Sequence, residues 1–299
     1  MRLNFCLAGL CAGLLFSRLA GAAEPLPPRW VSAGGSLSEW VVALGGESRL
    51  VGVDTTSQHP AALKALPSIG YQRQLAAEGI LTLRPDMLIG TEEMGPPPVL
   101  DQLRAAGVRI ETLPAKADLA SLEHNLTRLG ELLGDPARAA QVLAEYRLRL
   151  QAQAAWVANA RRSQDPPRVL LLLGHAGSSP MAAGRDTVAA WLIEQAGGRN
   201  VSPHNGYKAI STEALMALDP QVVIFADRSL SGEAAKQALL KQNPALAATP
   251  AARDERLLAL DPTLLVGGLG PRLPEGLARL SAAFYPAAHA PTGKAKSQP

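Results

Sequence analysis

The sequence is poor in sulfur, in aromatic rings and in charge of one sign. Of its 299 residues only two are cysteine, Cys6 and Cys11, and both fall within the first 22 positions. A chain trimmed after that segment holds no thiol and no disulfide, so thiol catalysis is excluded. Aromatic residues make up 4% of the chain, with Phe5 and Phe16 in the same leading segment, which disfavours a stacked-ring platform for sugars. Lys and Arg total 29 against 26 Asp and Glu; setting aside Arg2 and Arg18 leaves a net charge of +1. That balance gives too weak a field for nonspecific nucleic-acid binding, so no nucleic-acid partner is expected. Enzyme signatures are missing as well: no Gly-x-Ser-x-Gly elbow, His-Glu-x-x-His helix or Walker loop occurs. His59, His124, His204 and His289 are scattered without metal-ligand spacing, which argues against a zinc or manganese carrier.

What is present begins with a leader. Arg2 opens it, an apolar stretch runs from Leu3 to Phe16, and Ala20-Gly21-Ala22 supplies the small-x-small pattern that a signal peptidase accepts. The apolar stretch falls short of the roughly 18 residues that span a bilayer. Residues 1–22 are therefore expected to be a cleaved signal peptide, with the mature chain starting at Ala23. Leu10 before Cys11 does not suit lipid attachment, so a soluble protein of the periplasm is expected.

From Arg29 short apolar runs alternate with segments of helical period, the pattern of repeated β-α units. The runs are Leu50 to Val53, Met87 to Ile89, Val108 to Leu113, Val169 to Leu173, Val222 to Phe225 and Leu257 to Leu260. They lack alternation, as strands of a parallel sheet buried on both faces do. Between Asp118 and Arg162 the strand signals vanish. Leu119, Leu122, Leu126, Leu129 and Leu133 form one apolar stripe. Asp135-Pro136 then marks a fresh helix start, and Val142, Leu143, Tyr146, Leu150 and Val157 form a second. A helix from Pro136 to Arg162 is about 40 Å long, enough to cross a domain. The expected architecture is α/β: two Rossmann-like lobes with parallel-type sheets, joined by one long helix. Its parts are an N-terminal lobe at 23–117, a helical connector at 118–165, a C-terminal lobe at 166–285, and a disordered Pro-, Ala- and Lys-rich tail at 286–299.

A repeat sharpens this reading. Gly70-Tyr71 is followed by Glu78, Pro85 and the run at Met87; Gly206-Tyr207 is followed by Glu213, Pro220 and the run at Val222. Each glutamate lies seven residues before its proline. The order argues for two related lobes, although Leu-x-Pro-Asp ahead of a buried strand is common in α/β proteins.

These features resemble the periplasmic binding proteins of ABC importers for haem, cobalamin and ferric siderophores. Gly34-Gly35-Ser36-Leu37-Ser38-Glu39, Leu50 to Ser57, Pro67 to Arg73 and Gly95-Pro96-Pro97-Pro98 look like the haem-binding branch. The resemblance covers nearly all of the chain after the leader. It implies binding of ferric haem b in the cleft between the lobes and delivery to an ABC permease homodimer with its ATPase, with an outer-membrane haem receptor indirectly upstream. A ferric siderophore or cobalamin carrier is the alternative, and a secreted hydrolase or isomerase the distant rival class.

Within that resemblance Tyr71 is expected to be the axial ligand of the haem iron, since tyrosinate is a known haem ligand. A free phenol ionises only near about pH 10, so the metal or a nearby cation must favour the phenolate. If the chain is locally extended, Arg73 shares a face with Tyr71 and can donate to the phenolate; the plain alternative is a half-buried tyrosine beside a solvated arginine. Arg228, after the run ending at Phe225, can meet a propionate or Tyr71, or merely pair with Asp227. His175 is a candidate second ligand or a loop residue held by hydrogen bonds. The resemblance assigns Glu78 and Glu213 to salt bridges with permease arginines, one per lobe; a carboxylate near a helix start is also favoured by the helix dipole alone.

Overall fold

The computed structural model describes residues 28–174, 180–227, 230 and 232–288. The leader assigned to residues 1–22, and residues 289–299 of the tail assigned to 286–299, lie outside the described residues. The first lobe is a four-stranded sheet of β1 (Trp30–Ala33), β2 (Leu50–Val53), β3 (Met87–Thr91) and β4 (Arg109–Leu113), in the order β2-β1-β3-β4 and parallel throughout. Helices α1 (Gly35–Ala43), α2 (Ala77–Thr82) and α3 (Pro97–Ala105) connect these strands. Trp30, Met87 and Ile89 turn to one face and Val31, Ala33 and Leu88 to the other, each face in its own apolar cluster. Burial on both sides explains why these runs do not alternate in polarity.

Two helices follow. The Asp118 carboxylate accepts from Ser121 N at 2.7 Å to start α4 (Leu119–Leu133), and Gly134, at φ 78°, ends it in the left-handed region. Asp135 accepts from Arg138 N at 2.9 Å, with Pro136 in the first turn, and α5 (Pro136–Ala160) runs for 25 residues, about 38 Å. The apolar stripe of α4 differs from the expected one. Leu122, Leu126, Leu129 and Leu132 are buried, whereas Leu119, the first residue after the cap, is exposed and Leu133 half-buried.

The second lobe has a six-stranded sheet, and here parallel pairing is only part of the pattern. β5 (Arg168–Gly174), β6 (Met181–Ala183), β7 (Arg199–Asn200), β8 (Tyr207–Ala209), β9 (Val222–Asp227) and β10 (Leu257–Ala259) form it, with the path β10-β9-β5-β6-β8 and β7 beside β5. β6 runs antiparallel to both β5 and β8, so the first lobe is parallel throughout while the second keeps the expected parallel-type core of β10, β9, β5 and β7 and adds an antiparallel pair beside it. Strands of only three residues that include exposed side chains such as Met181 and Lys208 are too short to show a period in the sequence. Helices α6 (Val188–Gln195), α7 (Thr212–Leu218), α8 (Gly232–Gln242), α9 (Pro250–Arg253) and α10 (Leu273–Phe284) complete the lobe. No helix among the described residues is long and apolar enough to cross a membrane.

The sequence repeat is a structural repeat. Arg29 N donates to Asp86 Oδ2 at 3.0 Å while its guanidinium donates to the carbonyls of Leu83 and Arg84 at 2.7 and 3.0 Å. In the second lobe Arg168 N donates to Gln221 Oε1 at 2.9 Å while its guanidinium donates to Asp219 O at 2.9 Å and to the Asp219 carboxylate. Arg84 and Asp219, each just before the repeat proline, both take positive φ, 46° and 43°. The same arginine clamp thus closes the same strained turn ahead of β3 and of β9.

Covalently the lobes are joined through α4 and α5. A second, noncovalent tie is the stretch 262–272 of the second lobe, which lies along α1 of the first. Trp40 Nε1 donates to Leu269 O at 2.7 Å and Ser36 Oγ to Val266 O at 2.7 Å. The approach needs glycine: a Cβ at Gly270 would sit 2.8 Å from Ser36 Oγ, and Gly267 and Gly268 take φ of 81° and 82°. One continuous apolar cluster therefore runs from Trp30 and Trp40 through Leu126 and Tyr146 to Leu171, Leu277 and Phe284.

Candidate functional site

Between the lobes lies a cleft of about 1240 Å³. It exceeds the roughly 300–1,000 Å³ of ordinary small-molecule pockets, so it suits a large ligand such as a macrocycle. It opens beyond the carboxyl ends of β2, β9 and β10, where Thr55, Asp227 and Leu260 line it, the place where loops of open α/β sheets meet ligands.

Tyr71 is on this cleft. Its loop is carried by the exit of β2: Val53 N donates to Pro67 O and Ile69 N to Val53 O, both at 3.0 Å, and Thr55 N donates to Gly70 O at 2.9 Å. Gly70, at φ 83°, makes the bend that precedes the tyrosine. The ring is half-buried, whereas the next side chain, Gln72, is fully buried. The tyrosine is therefore fastened from both sides while its own ring faces the opening.

Arg73 is placed differently from the sequence argument. Gln74 N donates to Tyr71 O at 2.7 Å, so residues 71–74 form a turn, and the face-sharing of an extended strand does not apply. Arg73 forms an ion pair with Glu93 at 2.5 Å, with half its side chain exposed, and among the described lining residues it is not found. His175 and Arg228 lie outside the described residues. The strand ends that precede them in sequence, Gly174 and Asp227, are register partners, and Asp227 accepts from Leu230 N at 2.9 Å.

Glu78 and Glu213 are both exposed in the first turn of their helices, α2 and α7. The Glu213 carboxyl is held below the usual range by hydrogen bonds from its own backbone N–H and from Ser211. Ser211 also caps α7, accepting from Ala214 N at 3.2 Å, whereas α2 starts without a side-chain cap.

The sequence reading missed the charged wall of the cleft. His59 and Lys64 of the first lobe and Asp261 and Arg279 of the second all line it. His59 Nε2 stands 3.0 Å from Asp261 Oδ2. Burial raises the Asp261 carboxyl, but hydrogen bonds from Thr263 and Arg272 outweigh it and leave the group below its ordinary range. No local signal marks these residues, because the partners are some two hundred positions apart in the chain.

The comparisons agree with this geometry. Residues 31–264 match the family described as "Periplasmic binding protein". The structure superposes on a periplasmic haem-binding protein from Pseudomonas aeruginosa with a TM-score of 0.88 and 68% identity, covering 89% of this chain and 96% of that one. It superposes on the periplasmic haem-binding protein RhuT from Roseiflexus sp. RS-1 with a TM-score of 0.80 and 37% identity, covering 88% and 100%. A cobalamin-binding protein from Halobacterium salinarum is 27% identical over 265 residues, 87% of this chain and 70% of its own. With the family match running over residues 31–264, most of its length, this chain belongs to the periplasmic binding protein family, whose members bind and pass on a substrate rather than transform it.

Proposed function

We propose that this protein binds ferric haem in the cleft between its lobes and hands it to an ABC-type importer of the inner membrane. The observation that carries the reading is Tyr71, a phenol whose loop is fastened from both sides on the lining of a macrocycle-sized cleft. Phenolate is a hard anionic donor and one of the protein ligands haem iron accepts. The likeness to haem-binding proteins at 68% and 37% identity supports the same ligand. In this reading Tyr71 is the axial ligand, and Arg73 stabilises its phenolate after exchanging Glu93 for it. Arg228 and His175 are the second lobe's contributions.

Glu78 and Glu213 dock the importer. Both are exposed, and the clamped turns place them at equivalent points of two related lobes, so a permease built as a homodimer can meet them with the same arginine twice. Exposed pairs are individually weak, so the pair acts together.

The test of the ligand is a visible titration with haemin, cobalamin and a ferric siderophore in parallel. Haemin is expected to give a saturable ferric-phenolate spectrum at the lowest concentration. Tighter binding of cobalamin, the ligand named for the Halobacterium relative, would replace haem by a corrin. Docking is tested with a Glu78→Ala/Glu213→Ala protein and transporter-bearing vesicles: uptake should fall with haemin binding intact. Unchanged uptake would leave these glutamates only a role at their helix starts.

A further inference from the structure

Glu39 on α1 is a carboxylate only 5% exposed, and burial to that degree is tolerated when a cation meets it with good geometry. Arg272, directly before α10 of the other lobe, does so as a fork: Nε donates to Oε2 at 2.9 Å and Nη2 to Oε1 at 2.7 Å. The same guanidinium donates through Nη1 to Asp261 Oδ2 at 2.8 Å and through Nη2 to Thr263 Oγ1 at 2.7 Å. Asp261 then meets His59 of the first lobe. The connection runs from α1 across to Arg272 and Asp261 and back to the loop between β2 and Tyr71. It stands at one end of the ligand cleft, for His59 and Asp261 line that cleft, and with Arg272 they line the smaller recess beside it.

We propose that Arg272 is a positioning residue for the ligand: it sets the separation of the lobes at one end of the cleft and, through Asp261 and His59, holds loop 55–66 as a fixed wall. Arginine suits the task because one planar group reaches two carboxylates and a hydroxyl at once, which a lysine ammonium cannot do in the same plane. Loop 55–66 leads directly into the Tyr71 segment, so the tie also limits how far that loop can move from the second lobe. The consequence for ligand release rests on the haem reading; the consequence for the ligand-free molecule does not.

The decisive variant is Glu39→Met/Arg272→Met, which removes the buried pair together and leaves the one-third-exposed Asp261 with Thr263 and His59 as its remaining partners. Its melting temperature should stay close to that of the native protein. Amide hydrogen exchange in residues 55–66 of the ligand-free protein should quicken by about tenfold. Haemin release into a scavenger should quicken by roughly tenfold as well, with the visible spectrum unchanged. His59→Ala should show the same loop effect in weaker form, and Arg272→Lys should fall between the native protein and the double variant. Native exchange in 55–66 in both the double variant and His59→Ala would overturn the proposal, as would native haemin release beside a loosened loop. If the native protein gives no haemin spectrum, the haem reading fails, and the exchange measurement still decides whether Arg272 ties the lobes.

Discussion

The two lobes carry the same turn and different tyrosines. Arg29 and Arg168 clamp equivalent positive-φ turns, and the strands β3 and β9 leave those turns in the same way. The Gly-Tyr pair upstream has diverged. Gly70-Tyr71 belongs to a loop fastened to the end of β2, with the ring at the cleft. Gly206-Tyr207 has been drawn into the sheet, where Tyr207 in β8 pairs with Ala183 of the antiparallel β6. A duplicated element keeps its backbone hydrogen bonds, which fold stability requires in both copies, while a side chain needed by only one ligand site is free to take another environment in the other copy.

The comparison breaks most visibly at the tyrosines. Tyr71→Phe should abolish the phenolate charge-transfer band and weaken haemin binding by more than the about 10- to 100-fold that follows from altering groups behind a metal ligand. Tyr207→Phe should leave the spectrum as it is. An unchanged spectrum in Tyr71→Phe would move the ligand elsewhere, to His175 first.

The clamps give the next effect. Arg29→Ala and Arg168→Ala each remove charge-assisted hydrogen bonds to backbone carbonyls, and each should lower unfolding free energy by about 1–3 kcal/mol, measured by denaturant titration. A cost in one lobe alone would mean that the second clamp is a vestige.

Glycine in the strained turns sharpens the same comparison at a smaller scale. Arg84→Gly should stabilise the protein by up to about 1 kcal/mol, because glycine adopts positive φ without steric cost. Asp219→Gly relieves the same backbone but also removes the carboxylate paired with Arg168, so its net effect should be close to zero. Equal gains at both sites would show that the Arg168–Asp219 pair contributes nothing.

The smallest expected effect is on shape. The lobes are joined by a continuous α5 and again along 262–272, and neither tie is a pair of extended strands able to absorb large backbone changes. Scattering profiles with and without haemin should nearly coincide, and a marked compaction would show that one lobe moves freely on the other.

Of the six runs, those of β2, β3, β5 and β9 were legible because a strand with packing above and below needs apolar residues throughout; β4 and β10 keep exposed or half-buried positions, such as Arg109 and Ala259, and were legible only through their branched apolar residues. The caps of α4 and α5 were legible because capping is a contact between near neighbours in the chain, Asp118 to Ser121 and Asp135 to Arg138. β6 and β8 were not, since three residues are too few to show a periodicity. Tyr71 was placed on the cleft through likeness to a family, while the sequence left open whether residues 71–74 are extended or turned, because a four-residue turn and an extended segment can share one composition; the Gln74 N to Tyr71 O bond makes them a turn.

By itself the sequence determined the strands with long apolar runs, the caps, the long helix and the repeated turn, all of them set by interactions between residues close in the chain or by burial of whole segments. Only the tertiary structure decided the pairing of β6 and β8, the ion pair that takes Arg73 to Glu93, and the chain of charges through Arg272. Glu39 and Arg272 stand 233 positions apart. A carboxylate on one short helix and an arginine just before another give no sign in the sequence of belonging together until the folded lobes bring them together out of water, and it is that shared burial which turns them into a tie across the cleft.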